Sequence, residues 1–160
     1  MMTTSEVLDR IRAFLNASGV PFVEKEHAPT HTSEESAQAR GEPLSVGAKA
    51  LVIKTDDVYR LFVLPAARKV DSRAIKQALG VKKLRFADAA ELAKLTGLVP
   101  GSVPPFGEPV LSLELIADPA LQNNDRVAFN AGLLTTSIIM QSADYRRVAG
   151  ARWFSFSTDG

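Results

Sequence analysis

The residues of this chain best suited to chemistry lie in two places. One is the stretch Gly97-Leu98-Val99-Pro100-Gly101, continued by Ser102-Val103-Pro104-Pro105-Phe106-Gly107, in which six of eleven residues are glycine or proline. Proline fixes φ and removes an amide donor, whereas glycine admits positive φ and leaves its N–H open to close approach by a ligand. A loop of that composition either connects two elements or presents backbone N–H groups to an oxyanion or a phosphate. The other is Lys49, inside the short apolar run Gly47-Ala48-Lys49-Ala50-Leu51-Val52-Ile53-Lys54. As a strand, that run puts Ala48, Ala50 and Val52 on one face and Lys49, Leu51 and Ile53 on the other, since successive side chains alternate. An ammonium among core-type residues must snorkel to the strand end or meet a negative partner in a cleft, because an unpaired buried charge is costly.

The elements that must position these residues follow from periodicity and caps. Ser5 can open a helix to about residue 18, with Val7, Leu8, Ile11, Phe14 and Leu15 as its apolar stripe and Gly19 as its stop. A short strand is expected over 22–27, and Thr32 with Glu35 three residues on fits a capping box opening a helix to about Arg40. Strands over 48–54 and 58–64 are joined by a tight turn at Thr55-Asp56-Asp57, which places Lys49 at the end away from the turn. Asp71 starts a helix to Leu79 closed by Gly80; Asp88 starts another to about Leu95 closed by Gly97, leading straight into the glycine–proline loop. Strand-like runs follow at 110–116, 126–129 and 136–140, then a short helix near Ala143 and a last strand over 153–156. Asp118-Pro119 and Asn123-Asn124-Asp125 read as a surface excursion. Asn130-Ala131-Gly132 reads as a strand-end segment, either an ordinary turn or a place for an amide side chain. Early helices and late strands predict an α+β fold with a largely antiparallel sheet.

Composition removes many function classes. A chain of 160 residues is expected to form one domain over 1–160 with a core of its own. There is no cysteine, which excludes thiolate nucleophiles, disulfides and cysteine-ligated metal centres. Met1 to Arg10 has no apolar core segment and no run approaches a membrane span, so a cytoplasmic protein is expected. His27 and His31 are the only histidines, and Pro29 between them argues against a helical metal pair; no metal and no cofactor are expected. No serine stands in a G-x-S-x-G elbow, and the loop lacks both the closing Lys-Ser/Thr of a P-loop and a dinucleotide fingerprint. The net charge is +1, yet residues 68–85 carry Arg68, Lys69, Arg73, Lys76, Lys82, Lys83 and Arg85 against Asp71 alone. Such a stripe is either a solvated face or a local contact for a phosphate backbone.

His27 followed by Thr32-Ser33-Glu34-Glu35, the strand lysine Lys49, the Gly97-Leu98-Val99-Pro100-Gly101 loop and the later Asn130-Ala131-Gly132 together resemble the YbaK/prolyl-tRNA synthetase-associated editing-domain family. The resemblance spans nearly the whole chain, and a strand lysine followed by a G-x-x-P-G loop is its most specific part. It implies a mixed sheet, partly closed into a barrel and flanked by helices. It also implies hydrolysis of amino acids wrongly attached to tRNA, typically tRNA(Pro), with Ala-tRNA(Pro) the first substrate expected and Cys-tRNA(Pro) the second. Lys49, Gly97 and Gly101 become the catalytic candidates: Lys49 to hold the 3′-terminal phosphate or ribose, the Gly97 to Gly101 amides to stabilise the carbonyl oxygen. His27, Val46, Leu98, Val99, Pro100, Asn130, Ala131 and Gly132 become substrate-binding candidates, and Arg68, Lys69, Arg73 and Lys76 tRNA contacts. The partners implied are aminoacyl-tRNA and prolyl-tRNA synthetase. No anticodon-binding or synthetase domain fits in 160 residues, which suits a freestanding editor acting in trans. Two other readings stay open: a non-catalytic module holding a nucleotide or the tRNA 3′ end, and a general esterase.

Overall fold

A computed structural model describes residues 4–160. In chain order the elements are α1 (Thr4–Ala17), β1 (Phe22–Glu26), α2 (Ser33–Arg40), β2 (Ala48–Thr55), β3 (Val58–Pro65), β4 (Arg68–Val70), α3 (Ser72–Leu79), β5 (Leu84–Phe86), α4 (Ala89–Thr96), β6 (Glu114–Ala117), β7 (Arg126–Leu133), β8 (Thr136–Gln141), α5 (Ser142–Val148), β9 (Arg152–Trp153) and β10 (Ser157–Asp159). The fold is mixed α+β. Three sheets run in the orders β5-β2-β3-β6-β9, β1-β8-β7 and β10-β4. Pairing is antiparallel except where β6 lies parallel to β3 and to β9. Among the described residues no ladder closes a barrel; one parallel bridge, Gly47 to Ala128, joins the start of β2 to β7.

Local chemistry accounts for the helices. Thr32, Asp71 and Asp88 each accept a hydrogen bond from the backbone N–H three residues on, satisfying a donor that the first turn leaves orphaned. Around Asp88 the box is complete; around Thr32 the Glu35 carboxylate accepts from the His31 N–H instead. The amphipathic stripe of α1 buries Val7, Leu8, Ile11 and Leu15 against the main core, which also holds Phe106, Phe129 and Tyr145. The expected alternation along β2 holds: Ala48 and Val52 face that core, while Ile53 faces a second cluster with Phe62, Leu64, Ile75 and Phe156.

Beyond the incomplete box at Thr32, four expectations need correction. The strand expected over 126–129 continues through Asn130-Ala131-Gly132 to Leu133, because the ladder with β8 still pairs Asn130 with Ser137 and, past a bulge at Ala131-Gly132, resumes at Leu133. Of the run 110–116 only the end is strand, since the Val110 and Leu111 amides turn back to the Gly107 carbonyl at 2.8 and 3.0 Å. The run 153–156 splits: Trp153 pairs beside Ala117, and Phe156 drops into the second cluster before β10 begins. Asp118, read as part of a surface excursion, is 2 % exposed; its carboxylate accepts from the Ala120 and Phe156 N–H groups, each at 2.8 Å.

Candidate active site

Where β2 begins, the chain must pass close to β3's end. Gly47 accepts from the Ala66 N–H at 2.7 Å, and a Cβ on Gly47 would come within 3.0 Å of the Ala66 Cβ. That close approach sets one wall of a cavity of about 160 Å³. Lys49, Gly101 and Asn130, far apart in sequence, all line it, together with the segment Thr30 to Ser33, Ser36 and Arg40. No carboxylate is among its lining residues. Its volume is close to the ~150 Å³ that accommodates benzene in an apolar protein cavity, so it suits a small acyl group.

Lys49 enters as the second residue of β2, opposite Leu64 of β3. Half-buried, its ammonium has no hydrogen bond or ion pair among the described residues. Burial pushes its pKa below the ordinary lysine value, with the Glu34 charge opposing the shift. An unpartnered ammonium in an acid-free cavity attracts an anion or an electron-rich oxygen.

Between Gly97 and Ser102 most donors are already used. The Gly97 N–H donates to the Ala93 carbonyl at 2.8 Å as the C-cap of α4. The Leu98 N–H donates to Thr96 Oγ1 at 3.1 Å, the Val99 N–H to Ser102 Oγ at 3.3 Å, and the Ser102 N–H back to the Val99 carbonyl at 3.1 Å. Pro100 has no donor. Among the described residues the Gly101 N–H is left unengaged, at a residue that lines the cavity with φ +87°, a backbone conformation that favours glycine. Within Gly97 to Ser102 the available amide is therefore at Gly101, and Gly97 serves to stop the helix; the N–H of Val103, which also lines the cavity, likewise has no acceptor among the described residues.

The other expected residues divide. Leu98 and Ala131 are buried in the main core, Val46 is buried outside it, Val99 and Pro100 are exposed, and none of these lines the cavity. Gly132 acts through its backbone, donating to the Ser102 carbonyl at 2.9 Å and so pinning the loop to β7. His27 stands behind the wall. Its Nδ1 lies 2.9 Å from the Ala28 carbonyl and its Nε2 lies 2.8 Å from Ser137 Oγ. A carbonyl can only accept, so Nδ1 carries a proton. His31, the other histidine, lines the cavity instead, because the chain turns at Ala28-Pro29 before α2. Within the basic stripe, Arg68 pairs with Asp159 and Arg85 with Glu91, while Lys69, Arg73 and Lys76 are exposed.

Sequence reasoning missed Arg40. It closes α2 and is 5 % exposed, yet lines the cavity. Its Nε donates to Ser137 Oγ at 2.8 Å and its Nη2 to Asn130 Oδ1 at 3.0 Å. Asn130 Nδ2 in turn donates to the Gly101 carbonyl at 2.8 Å. Burial pushes the Arg40 pKa down to about 10, the Glu42 charge opposing; the side chain stays charged at neutral pH. The only signal in the sequence is the small pair Ser36 and Ala37, one turn ahead of Arg40 on the buried face of α2.

Comparison with known proteins agrees with this arrangement. The profile of the aminoacyl-tRNA editing domain matches residues 27–148. The multifunctional Ser/Thr-tRNA deacylase ProXp-y of Escherichia coli (strain K12) is 36% identical over 153 residues, covering 92% of this chain and 90% of that protein. The prolyl-tRNA editing protein ProX of Acetoanaerobium sticklandii is 25% identical over 136 residues, covering 82% and 83%. The crystal structure of a candidate trans-editing enzyme for prolyl tRNA synthetase superposes with a TM-score of 0.80 at 25% identity, covering 95% of this chain and 97% of that one. With a matching profile that starts just past β1 and takes in the cavity and α5, this chain belongs to the aminoacyl-tRNA editing domain family.

Proposed function

We propose that this chain is an aminoacyl-tRNA deacylase that acts in trans in the cytoplasm, removing small amino acids from mischarged tRNA, with tRNA(Pro) the expected carrier and prolyl-tRNA synthetase the expected partner. The observation that carries this reading is that the unpartnered Lys49 ammonium and the unengaged Gly101 amide share one small cavity. Coverage of the Escherichia coli deacylase over 90% of its length supports one editing domain acting by itself. The Gly47–Ala128 bridge supports a partly barrelled sheet.

An aminoacyl ester is already activated, so positioning a water and stabilising charge on the carbonyl oxygen supply much of the rate. In this mechanism the Gly101 N–H donates to the carbonyl oxygen, and Lys49 holds the terminal phosphate or ribose in register. The cavity wall offers no carboxylate, which favours the neighbouring ribose hydroxyl as the group that orients the attacking water. Water oxygen bonds to the carbonyl carbon and the ester C–O bond breaks. The water's proton passes to the departing ribose oxygen, releasing free amino acid and uncharged tRNA.

Alanine and cysteine both suit a cavity of about 160 Å³. A second reading, serine and threonine, is favoured by the hydroxyls of Thr30, Thr32, Ser33 and Ser36 around the cavity and by the name of the Escherichia coli relative. A pocket that recognises size alone separates one methylene by only ~1–3 kcal/mol, so overlapping substrates follow. The test is a panel of Ala-, Cys-, Ser- and Thr-charged tRNA(Pro), with Pro-tRNA(Pro) as control, at enzyme below substrate. Several turnovers on at least one mischarged member, with the cognate spared, are expected. Stoichiometric binding without turnover would instead mean a tRNA-end binding module, and equal cleavage of free amino acid esters a general esterase.

A further inference from the structure

Resting on the deacylase reading above, we propose that Arg40 is a positioning residue of the site: its guanidinium locks the Asn130 side chain, and through that amide the Gly101–Ser102 peptide, so that Gly101 is anchored at its carbonyl and its own N–H, on the other side of its Cα, is held toward the ester carbonyl. The links are short and oriented. Arg40 can only donate and the Gly101 carbonyl can only accept, so both ends dictate the same orientation of the Asn130 amide: Oδ1 toward Arg40 Nη2 at 3.0 Å, Nδ2 toward Gly101 at 2.8 Å. The second prong, Nε to Ser137 Oγ at 2.8 Å, ties β8 to the same fork, and Ser137 Oγ lies 3.2 Å from Asn130 Oδ1. The base of the fork is held too, since Lys25 Nζ donates to the Arg40 carbonyl at 2.7 Å.

Stability alone does not account for this arginine. Its contacts are neutral oxygens, with no carboxylate in hydrogen-bond contact, and a cation desolvated without a paired anion works against folding. What the guanidinium supplies is a rigid fork that reaches two strands at once, something a single ammonium cannot do. Glycine at 101, with φ +87°, has no side chain to restrain the rotations on either side of its Cα. The Asn130 clamp anchors its carbonyl side from across the cavity, and Arg40 holds the clamp.

The test is steady-state deacylation by Arg40→Lys of the mischarged tRNA that the wild type turns over, beside thermal unfolding. Arg40→Lys keeps charge and bulk but loses the fork. The expected result is a kcat lower by on the order of 10²-fold, the scale of a misplacement of about 1 Å, with KM near wild type and the fold retained. In an Asn130→Ala background the same substitution should cost little more, because both changes cut one link. Wild-type kcat in Arg40→Lys, losses that multiply in the double variant, or a loss in KM alone would each overturn the proposal, the last by placing Arg40 on the substrate. If Arg40→Lys does not fold, Asn130→Asp carries the test: its carboxylate still accepts from Arg40 but repels the Gly101 carbonyl. The same loss in kcat is expected there, and wild-type kcat overturns the proposal. A wild type inactive on every mischarged tRNA overturns the deacylase reading itself and this proposal with it.

Discussion

Asn130 Nδ2 donates to the carbonyl of Gly101 at 2.8 Å, joining β7 to the glycine–proline loop across 29 residues of sequence. One peptide further along, the Gly132 N–H donates to the Ser102 carbonyl at 2.9 Å. The loop is therefore held at two adjacent carbonyls by the bulged part of a strand, and Gly101 is presented to the cavity from a fixed frame.

That frame makes Gly101 sensitive to a single methyl. An alanine at φ +87° carries the left-handed penalty of about 1–2 kcal/mol, although a Cβ there would meet only Leu134 Cδ2 at 3.5 Å. Gly101→Ala should fold and lose kcat by on the order of 10²-fold as the amide shifts. Deacylation rates beside a circular dichroism spectrum check it; undiminished kcat removes the Gly101 amide from the mechanism.

Lys49→Met should separate function from stability. Loss of the ammonium should lower kcat/KM by on the order of 10²-fold. Because burial holds the folded pKa below 10.5, unfolding takes up a proton at Lys49 between the two values. The cost to the fold is thus full at neutral pH and relieved as pH rises through that window. The variant should melt at or above the wild-type temperature; a marked fall in Tm would show that Lys49 has a structural partner.

The same shift sets a pH limit on activity. If the ammonium is the working form, kcat/KM corrected for spontaneous ester hydrolysis should decline on the alkaline side with a midpoint below 10.5. Lys49→Arg, which stays protonated, should flatten that decline. An unchanged profile in Lys49→Arg would assign the limb to another group.

His31 is the one imidazole among the described residues lining the cavity. With the ribose hydroxyl orienting the water, His31→Ala should keep activity to within about tenfold, whereas loss of a general base costs typically 10²–10⁴-fold. A loss in the larger range would transfer the general-base role to His31.

Asp118 offers a test of the fold away from the site. Its buried carboxylate satisfies the Ala120 and Phe156 N–H groups, and such charge-assisted bonds contribute about 1.5–3 kcal/mol. Asp118→Ala should lower the unfolding free energy by about 2–3 kcal/mol in a denaturant titration, with deacylation intact in the folded fraction.

Much of this was readable before any coordinates because it depends on neighbours in sequence. The caps at Asp71 and Asp88, the stop at Gly97, the hairpin at Asp56-Asp57 and the alternation along β2 are all decided within a few residues. Lys49 and Gly101 could be nominated on the same grounds, one as a charge in an apolar strand and the other as a glycine after proline. What escaped is non-local. Nothing near Arg40 announces that its guanidinium will be buried against β7 and β8, because its partners lie 90 and 97 residues away. Asn130 looked like a turn residue, since a bulge that lets a strand resume leaves the same small-residue signature as a strand's end. His27 and His31 exchanged places relative to the cavity, because the direction of a side chain after Pro29 depends on where α2 docks. Local propensity chose the elements and two of the groups in the cavity; packing across the sheets chose which other side chains join them, since burial and long-range hydrogen bonds arise only when distant strands meet.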